Sequence, residues 1–387
     1  MNAMNSFNFE TTRRIICQRG ACSSLGGLAR GMGIRRAFLV TDEGLHRTGL
    51  TALAIESLQK QNVEVTLCID VLADPPEETI GAAAAKAREA RVDGVIGFGG
   101  GSSLDTAKLV ALLVQTPQEM NRIYGVGLAQ GPRLPLIQIP TTAGTGSEVT
   151  PISVVTTPTD EKKPVVSSLL LPDVALLDPE LTIGLPPAVT AATGIDAMVH
   201  AIEALTTHLK QNELSNMLAI KAVQMIFKNL LPAVTDGQDI EARERMLLAS
   251  LYAGMAFSNA SVGAVHAFAY PLGVRFHVPH GLSNSLMLPH ILRFNLEAGE
   301  ATYAQLGRAI RSELSTASDK VAAKAFVDSI CDLVSQMPYA QRLRDVGVKM
   351  TDVSVLTADV LKIQRLLAHN PKEITPEDAL ALYTGAF

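Results

Sequence analysis

At 387 residues the chain exceeds the size at which one hydrophobic core stops growing, and with 47% hydrophobic and 18% charged residues it can bury two, which argues against disorder. A formal charge of -5 supplies no basic patch for nucleic acid, and the four cysteines, Cys17, Cys22, Cys68 and Cys331, have no C-x-x-C spacing and fit a reducing compartment. The opening MNAMNSFNFETTRR lacks a signal-peptide core and no run reaches the roughly 18 uninterrupted apolar residues of a membrane span, so a cytoplasmic protein with no nucleic-acid or membrane partner is expected.

Along the first half, the runs AFLVTD (37–42), VEVTLCID (63–70), GVIGFGG (94–100) and LPLIQIPTT (134–142) alternate with helical stretches such as PEETIGAAAAKAREA (76–90). Strands separated by helices predict right-handed crossovers and a mainly parallel, doubly wound sheet covered on both faces. Pro186 and Pro187 interrupt the chain, and β signals nearly vanish after them. The long patterns AIEALTTHLKQNELSNMLAIKAVQMIFKNLL, ARERMLLASLYAGMAFSNA and DKVAAKAFVDSICDLVSQM then predict an all-helical domain. The expected division is an α/β dinucleotide-binding domain over 1–185 and an all-α metal-binding and substrate domain over 186–387.

Two loops in the first half carry chemistry. GFGGGSSLDTAK, Gly97 to Lys108, follows a strand and opens a helix, so its N–H groups and the positive helix end face an incoming phosphate. Gly99, Gly100 and Gly101 permit close approach, but Ser102 stands where G-x-G-x-x-G has its last glycine, and the GK[ST] ending of a P-loop is missing. Alone, the stretch is either a phosphate cradle or a tight strand-to-helix turn. PTTAGTGSEVT (140–150) also follows a strand and offers Thr141, Thr142 and Thr145. Two such loops at the carboxyl ends of parallel strands mark a ligand crevice.

In the second half, GIDAMVHAIEA (194–204) sets Asp196 and His200 four residues apart, on one helical face. They are either a hydrogen-bonded pair or two ligands of a metal. Four of the eight histidines, His266, His277, His280 and His290, fall in VHAFAYPLGVRFHVPHGLSNSLMLPH (265–290), and imidazoles grouped with an aspartate suit Fe(II) or Zn(II).

GFGGGSSLDTAK, PTTAGTGSEVT, LLDPELTIGLPPAVTAATGIDAMVHAIEA and HAFAYPLGVRFHVPHG, in this order and over nearly the whole chain, resemble the group III, iron-dependent alcohol dehydrogenase family. The resemblance implies a dehydroquinate synthase-like architecture and a metal, Fe2+ or Zn2+, held by Asp196, His200, His266 and His280. It implies that the dinucleotide diphosphate lies on Gly99, Gly100, Gly101 and Ser102, with Thr141, Thr142 and Thr145 near the nicotinamide half. The family's lysine near the nicotinamide ribose falls at Lys162, with adjacent Lys163 as the alternative. Asp42, in the place that holds the adenosine ribose hydroxyls, accepts from a ribose diol and repels a 2′-phosphate, which favours NAD over NADP; otherwise it is a turn residue after its strand.

One departure touches the chemistry. Where many relatives carry a histidine four residues after the ligand at His266, this chain has Tyr270, whose phenol, with a solution pKa of about 10, is a poorer base near neutrality. His277 is then either an outer proton relay or a solvent-exposed turn residue. The expected activity is metal-assisted hydride transfer between NAD(H) and a small primary alcohol or aldehyde, in a homodimer or higher homo-oligomer, with Phe257 and Ile152 as candidate pocket walls. Maleylacetate reductase or hydroxyacid-oxoacid transhydrogenase activity is the alternative within the family, although Arg275 is the only obvious cation for a substrate carboxylate in the motif HAFAYPLGVRFHVPHG. A dehydroquinate synthase-type lyase and a non-enzymatic metal-binding role are the alternatives outside it.

Overall fold

The computed structural model describes residues 6–159, 161–207 and 210–387, which divide into two units: Glu10–Gly184, and Leu185–Phe387 together with residues 6–9. The first unit runs β1 (Arg14–Cys17), α1 (Leu25–Gly31), β2 (Arg36–Val40), α2 (Glu43–Arg47), α3 (Leu50–Lys60), β3 (Glu64–Cys68), α4 (Glu77–Glu89), β4 (Gly94–Gly99), α5 (Gly101–Gln115), β5 (Gly125–Val126), β6 (Leu136–Pro140), β7 (Ile152–Thr156), β8 (Lys162–Val166) and β9 (Val174–Leu177). Six of these strands form one parallel sheet in the order β1-β9-β6-β4-β2-β3.

The apolar run of β4 follows from burial on both faces. Ile96 and Phe98 join Leu25 and Ala29 of α1 and Leu58 of α3, whereas Val95 joins Ala107 and Val110 of α5 and Ala87 of α4. From β2 the chain moves outward to β3 and returns to β4 on the other side of β2. The segments leaving the carboxyl ends of β2 and β4 therefore diverge, and that gap is where open α/β sheets bind ligands.

Strands β2, β3, β4 and β6 lie where the sequence predicts them. β1 and β9 are not foreseen, nor is the small sheet β5-β8-β7, in which β7 and β8 are antiparallel. Their segments are short, RIIC, GV, ISVVT, KKPVV and VALL, and no period-2 signal stands out in them.

The second unit contains α6 (Pro187–Thr206), α7 (Glu213–Thr235), α8 (Ile240–Ala260), α9 (Ala264–Phe276), α10 (His280–Asn295), α11 (Glu300–Ile310), α12 (Asp319–Ser335), α13 (Val353–Val360), α14 (Gln364–Leu367) and α15 (Pro376–Gly385). The long run beginning at Ala201, read as one helical pattern, is split: α6 ends at Thr206, and Asn212 and Ser215 form a capping box that starts α7. His208 and Leu209, within that run, lie outside the described residues. By length and composition α6 and α7 are apolar enough to cross a membrane, but 78% of the apolar window of α6 is buried inside the protein, where it packs against α7, α8 and α10. The doubly wound sheet unit and the all-helical unit are the expected fold class.

Candidate metal centre and dinucleotide site

Three helices of the second unit bring together the candidate metal ligands. On α6, Asp196 and His200 stand one turn apart; His266 lies in the first turn of α9, and His280 opens α10. Asp196, His200 and His266 are buried, and one ligand atom from each lies within 4.8 Å of the others. His280 completes the group, its Nε2 3.5 Å from Asp196 Oδ1. The His200 ring is stacked between Phe257, at 4.2 Å between centroids, and His266, at 4.7 Å.

The hydrogen bonds around the cluster show what it lacks. His266 Nδ1 meets Glu203 Oε2 at 2.6 Å, and because a carboxylate only accepts, Nδ1 carries the proton. Nε2 is then a bare lone pair. It is buried, has no hydrogen-bond partner, and lies 3.9 Å from Asp196 Oδ1, itself an acceptor. Two acceptors facing each other away from water are costly unless a cation satisfies both. Three imidazoles and one carboxylate are the donor set for Fe(II) or Zn(II), so the residues fit the implied metal. Burial works to raise the Asp196 carboxyl, but His200, His280 and His266 and the 2.6 Å bond from Asn284 Nδ2 hold it below the ordinary range.

The other histidine-segment candidates lie differently. Tyr270 is partly exposed, its ring 6.1 Å from that of His280. Burial pushes its phenol up, with Arg365 working in the opposite direction. His277 is exposed and forms the left-handed cap of α9, with φ 53°, which supports the turn-residue alternative. Arg275 pairs with Asp359, so the cation considered for a substrate carboxylate already has a counter-ion.

In the sheet unit, Gly100 precedes α5, whose first turn has neither an acidic residue nor a side-chain cap. Its N–H groups and positive end therefore remain available to an anion. The second loop lies directly against the first: Thr141 N donates to Gly99 O at 3.0 Å, and Thr142 Cγ2 is 3.5 Å from where a Cβ on Gly100 would stand. A Cβ on Gly101 would stand 2.8 Å from Thr145 Cγ2, so this close approach requires glycine. Ser102, Thr142 and Thr145 are partly exposed and Thr141 is buried.

Asp42 follows β2 and caps α2, its Oδ1 accepting from Leu45 N at 2.8 Å. This bond is what the turn-residue reading expects, and it engages only one carboxylate oxygen. Lys162 is on β8, paired with Asp74 at 2.8 Å, while Lys163 pairs with Glu161 and lies over Tyr124. The ribose role implied for Lys162 thus falls on a side chain held by an ion pair on the small sheet.

Several residues that matter here were not singled out from the sequence. Lys108, fully buried, donates to Ser147 Oγ at 2.7 Å, Thr150 Oγ1 at 3.1 Å and Ile152 O at 2.7 Å, so one ammonium ties the helix after the first loop to the second loop. Burial lowers its pKa to about 8 although Asp105 and Glu148 oppose the shift, and burial raises Glu148 to about 7. Glu203 and Asn284 around the metal centre are the others. Asp196, His200 and Glu203 follow the i, i+4, i+7 spacing of one helical face, which is the signal that points to Glu203.

Comparison with known proteins settles the family. The model of the iron-containing alcohol dehydrogenases matches residues 12–179, and that of the C-terminal part of the Fe-containing alcohol dehydrogenase family matches 190–387. The chain belongs to the iron-containing alcohol dehydrogenase family. It is 40% identical over 387 residues to "Probable alcohol dehydrogenase EutG" of Salmonella typhimurium, covering 100% of this chain and 96% of that protein. A 1,3-propanediol oxidoreductase structure superposes with a TM-score of 0.95 at 34% identity, covering 99% and 100% of the two chains. A sulfoacetaldehyde reductase from Bifidobacterium kashiwanohense, solved in complex with NAD+, gives 0.89 at 30% identity, with 99% of each covered. Within this family the protein is an NAD-dependent, metal-containing oxidoreductase of alcohols and aldehydes.

Proposed function

We propose that Asp196, His200, His266 and His280 hold one Fe2+ or Zn2+, and that the enzyme interconverts a short primary alcohol and its aldehyde with NAD(H). The single observation that carries the ligand reading is the buried, unpartnered Nε2 of His266 facing Asp196. The bound cation supplies Lewis acidity at the substrate oxygen. Phe257, stacked on His200, supplies an apolar wall beside that oxygen, which suits a short aliphatic chain. Gly99, Gly100, Gly101 and Ser102 bind the diphosphate at the start of α5, Thr141, Thr142 and Thr145 line the nicotinamide half, and Asp42 accepts from the adenosine ribose. Lys162 reaches the nicotinamide ribose only by leaving Asp74. With its phenol raised, Tyr270 orients by hydrogen bonding and the substrate proton leaves through water; His277 acts as a helix cap.

The names of the relatives span propanediol and sulfoacetaldehyde, so substrate choice lies in the pocket walls rather than in the metal centre. We further place the enzyme in the cytoplasm as a homo-oligomer. Among the described residues no strand pairs with the outer edge of β1, which carries exposed Ile15 and offers an edge to a second copy. Anaerobic reconstitution with Fe2+ or Zn2+, followed by NADH oxidation with short aldehydes, diol-derived aldehydes and keto acids, tests the reading. Turnover indifferent to chelation and to added metal would overturn it.

A further inference from the structure

Glu203 is buried, yet no Lys or Arg pairs with it among the described residues. Its two oxygens instead take three N–H donors: Oε2 accepts from Gly263 N at 2.7 Å and His266 Nδ1 at 2.6 Å, and Oε1 accepts from Val265 N at 2.6 Å. Gly263 is the residue before α9 and has no side chain to cap it. The carboxylate of α6 therefore serves as the cap of α9, where the positive end of a helix favours a negative charge. The fit is close, since a Cβ on Gly263 would stand 3.3 Å from Glu203 Oε1.

The same group thus holds both the start of α9 and the ring borne on its third residue. We infer that Glu203 is the positioning carboxylate of the metal centre: it fixes His266 in the Nδ1–H tautomer and turns the bare Nε2 toward Asp196 Oδ1. The inference rests on the reading of Asp196, His200, His266 and His280 as metal ligands. A carboxylate on the far nitrogen makes the near nitrogen a stronger donor, excludes the tautomer that could not bind, and removes the need to reorient the ring on binding. Glu203 touches no reacting atom, and its effect is exerted through His266.

Two measurements test the inference without turnover. In apoprotein labelled with 15N-histidine, the His266 signals, identified by their loss in His266→Asn, should report Nδ1 protonated and Nε2 bare. Zn2+ affinity, measured by competition with a chromophoric chelator, should fall roughly 10- to 100-fold in Glu203→Gln, which keeps the volume and removes the charge. Gly263→Ala, which crowds the cap without altering a ligand, should shift affinity less in the same direction, so the test survives if Glu203→Gln does not fold. A cap with a purely structural role would lower the melting temperature and leave tautomer and affinity unmoved. Nε2 protonated in the wild-type apoprotein, or wild-type affinity in Glu203→Gln, overturns the inference. Asp196→Asn separates the two levels. If it abolishes tight Zn2+ binding while Glu203→Gln keeps wild-type affinity, only the role of Glu203 falls; if it binds like wild type, the metal centre is misplaced and the role of Glu203 falls with it.

Discussion

Asp42 combines two functions that mutation can separate. It caps α2 through Leu45 N and, in the proposed site, faces the adenosine ribose. Asp42→Asn keeps an acceptor for Leu45 N and removes the charge, whereas Asp42→Gly removes both. Two unit charges about 4 Å apart interact by about 1 kcal/mol in water and about 4 kcal/mol near a protein surface. In a partly solvated crevice the carboxylate should thus oppose a 2′-phosphate by about 1 to 3 kcal/mol, or one to two powers of ten. The ratio of kcat/KM for NADPH to that for NADH should rise by this factor in both variants. Their thermal stabilities should stay close, because asparagine caps as well as aspartate and glycine loses only a few tenths of a kcal/mol. A ratio unchanged in both variants would place the adenosine ribose elsewhere.

His266→Ala should lose tight metal binding and turnover while NAD binding persists, because the glycine loops belong to the other unit; full activity after metal loading would refute the ligand role. His277→Gly should keep activity and gain up to about 1 kcal/mol by relieving the left-handed φ, whereas a loss as deep as that of His266→Ala would show that ligand and neighbour are confused. Gly101→Ala should weaken NAD binding about tenfold by forcing Thr145 aside, a typical overpacking cost, and adding Thr145→Ser, which removes the obstructing Cγ2, should restore it in a binding titration. Since the Glu148 carboxyl is raised from 4.5 to about 7 in the folded state, that state holds the extra proton between these values, and the contribution of Glu148 to stability falls as pH rises through this window. Glu148→Gln should flatten that decline in denaturant midpoints taken from pH 4.5 to 7. Tyr270→Phe should cost less than tenfold in kcat; a loss of about 100-fold at unchanged metal content would make the phenol the proton donor.

The parts of this protein that were legible in the sequence are those where local pattern and final burial agree. β4 reads as a strand because both of its faces are covered, and Asp196 and His200 read as a pair because helix geometry alone brings them together. The end of α6 was not legible: no glycine or proline marks it, and the start of the next helix is set by the capping box at Asn212 and Ser215. His277 looked as eligible as His280 by residue type, and only the backbone turn puts one in solvent and the other beside Asp196. Lys108 gave no signal, because a lysine in an apolar helix resembles a surface residue until the acceptors of a loop some 40 residues on are folded around it. Local capping and turn geometry decide the first two of these cases, and tertiary closure decides the case of Lys108.

The proposed ligands lie on α6, α9 and α10, and α6 is the buried axis of its unit. An ion that joins them acts as a cross-link between segments up to 84 residues apart, from Asp196 to His280. Its binding free energy is therefore also folding free energy, about 4 kcal/mol when free metal stands a thousandfold above its Kd. Scarcity of iron or zinc then shortens the life of the protein as well as silencing it. Unloaded chains should then open more often through the helical unit and be cut faster by added protease than loaded ones.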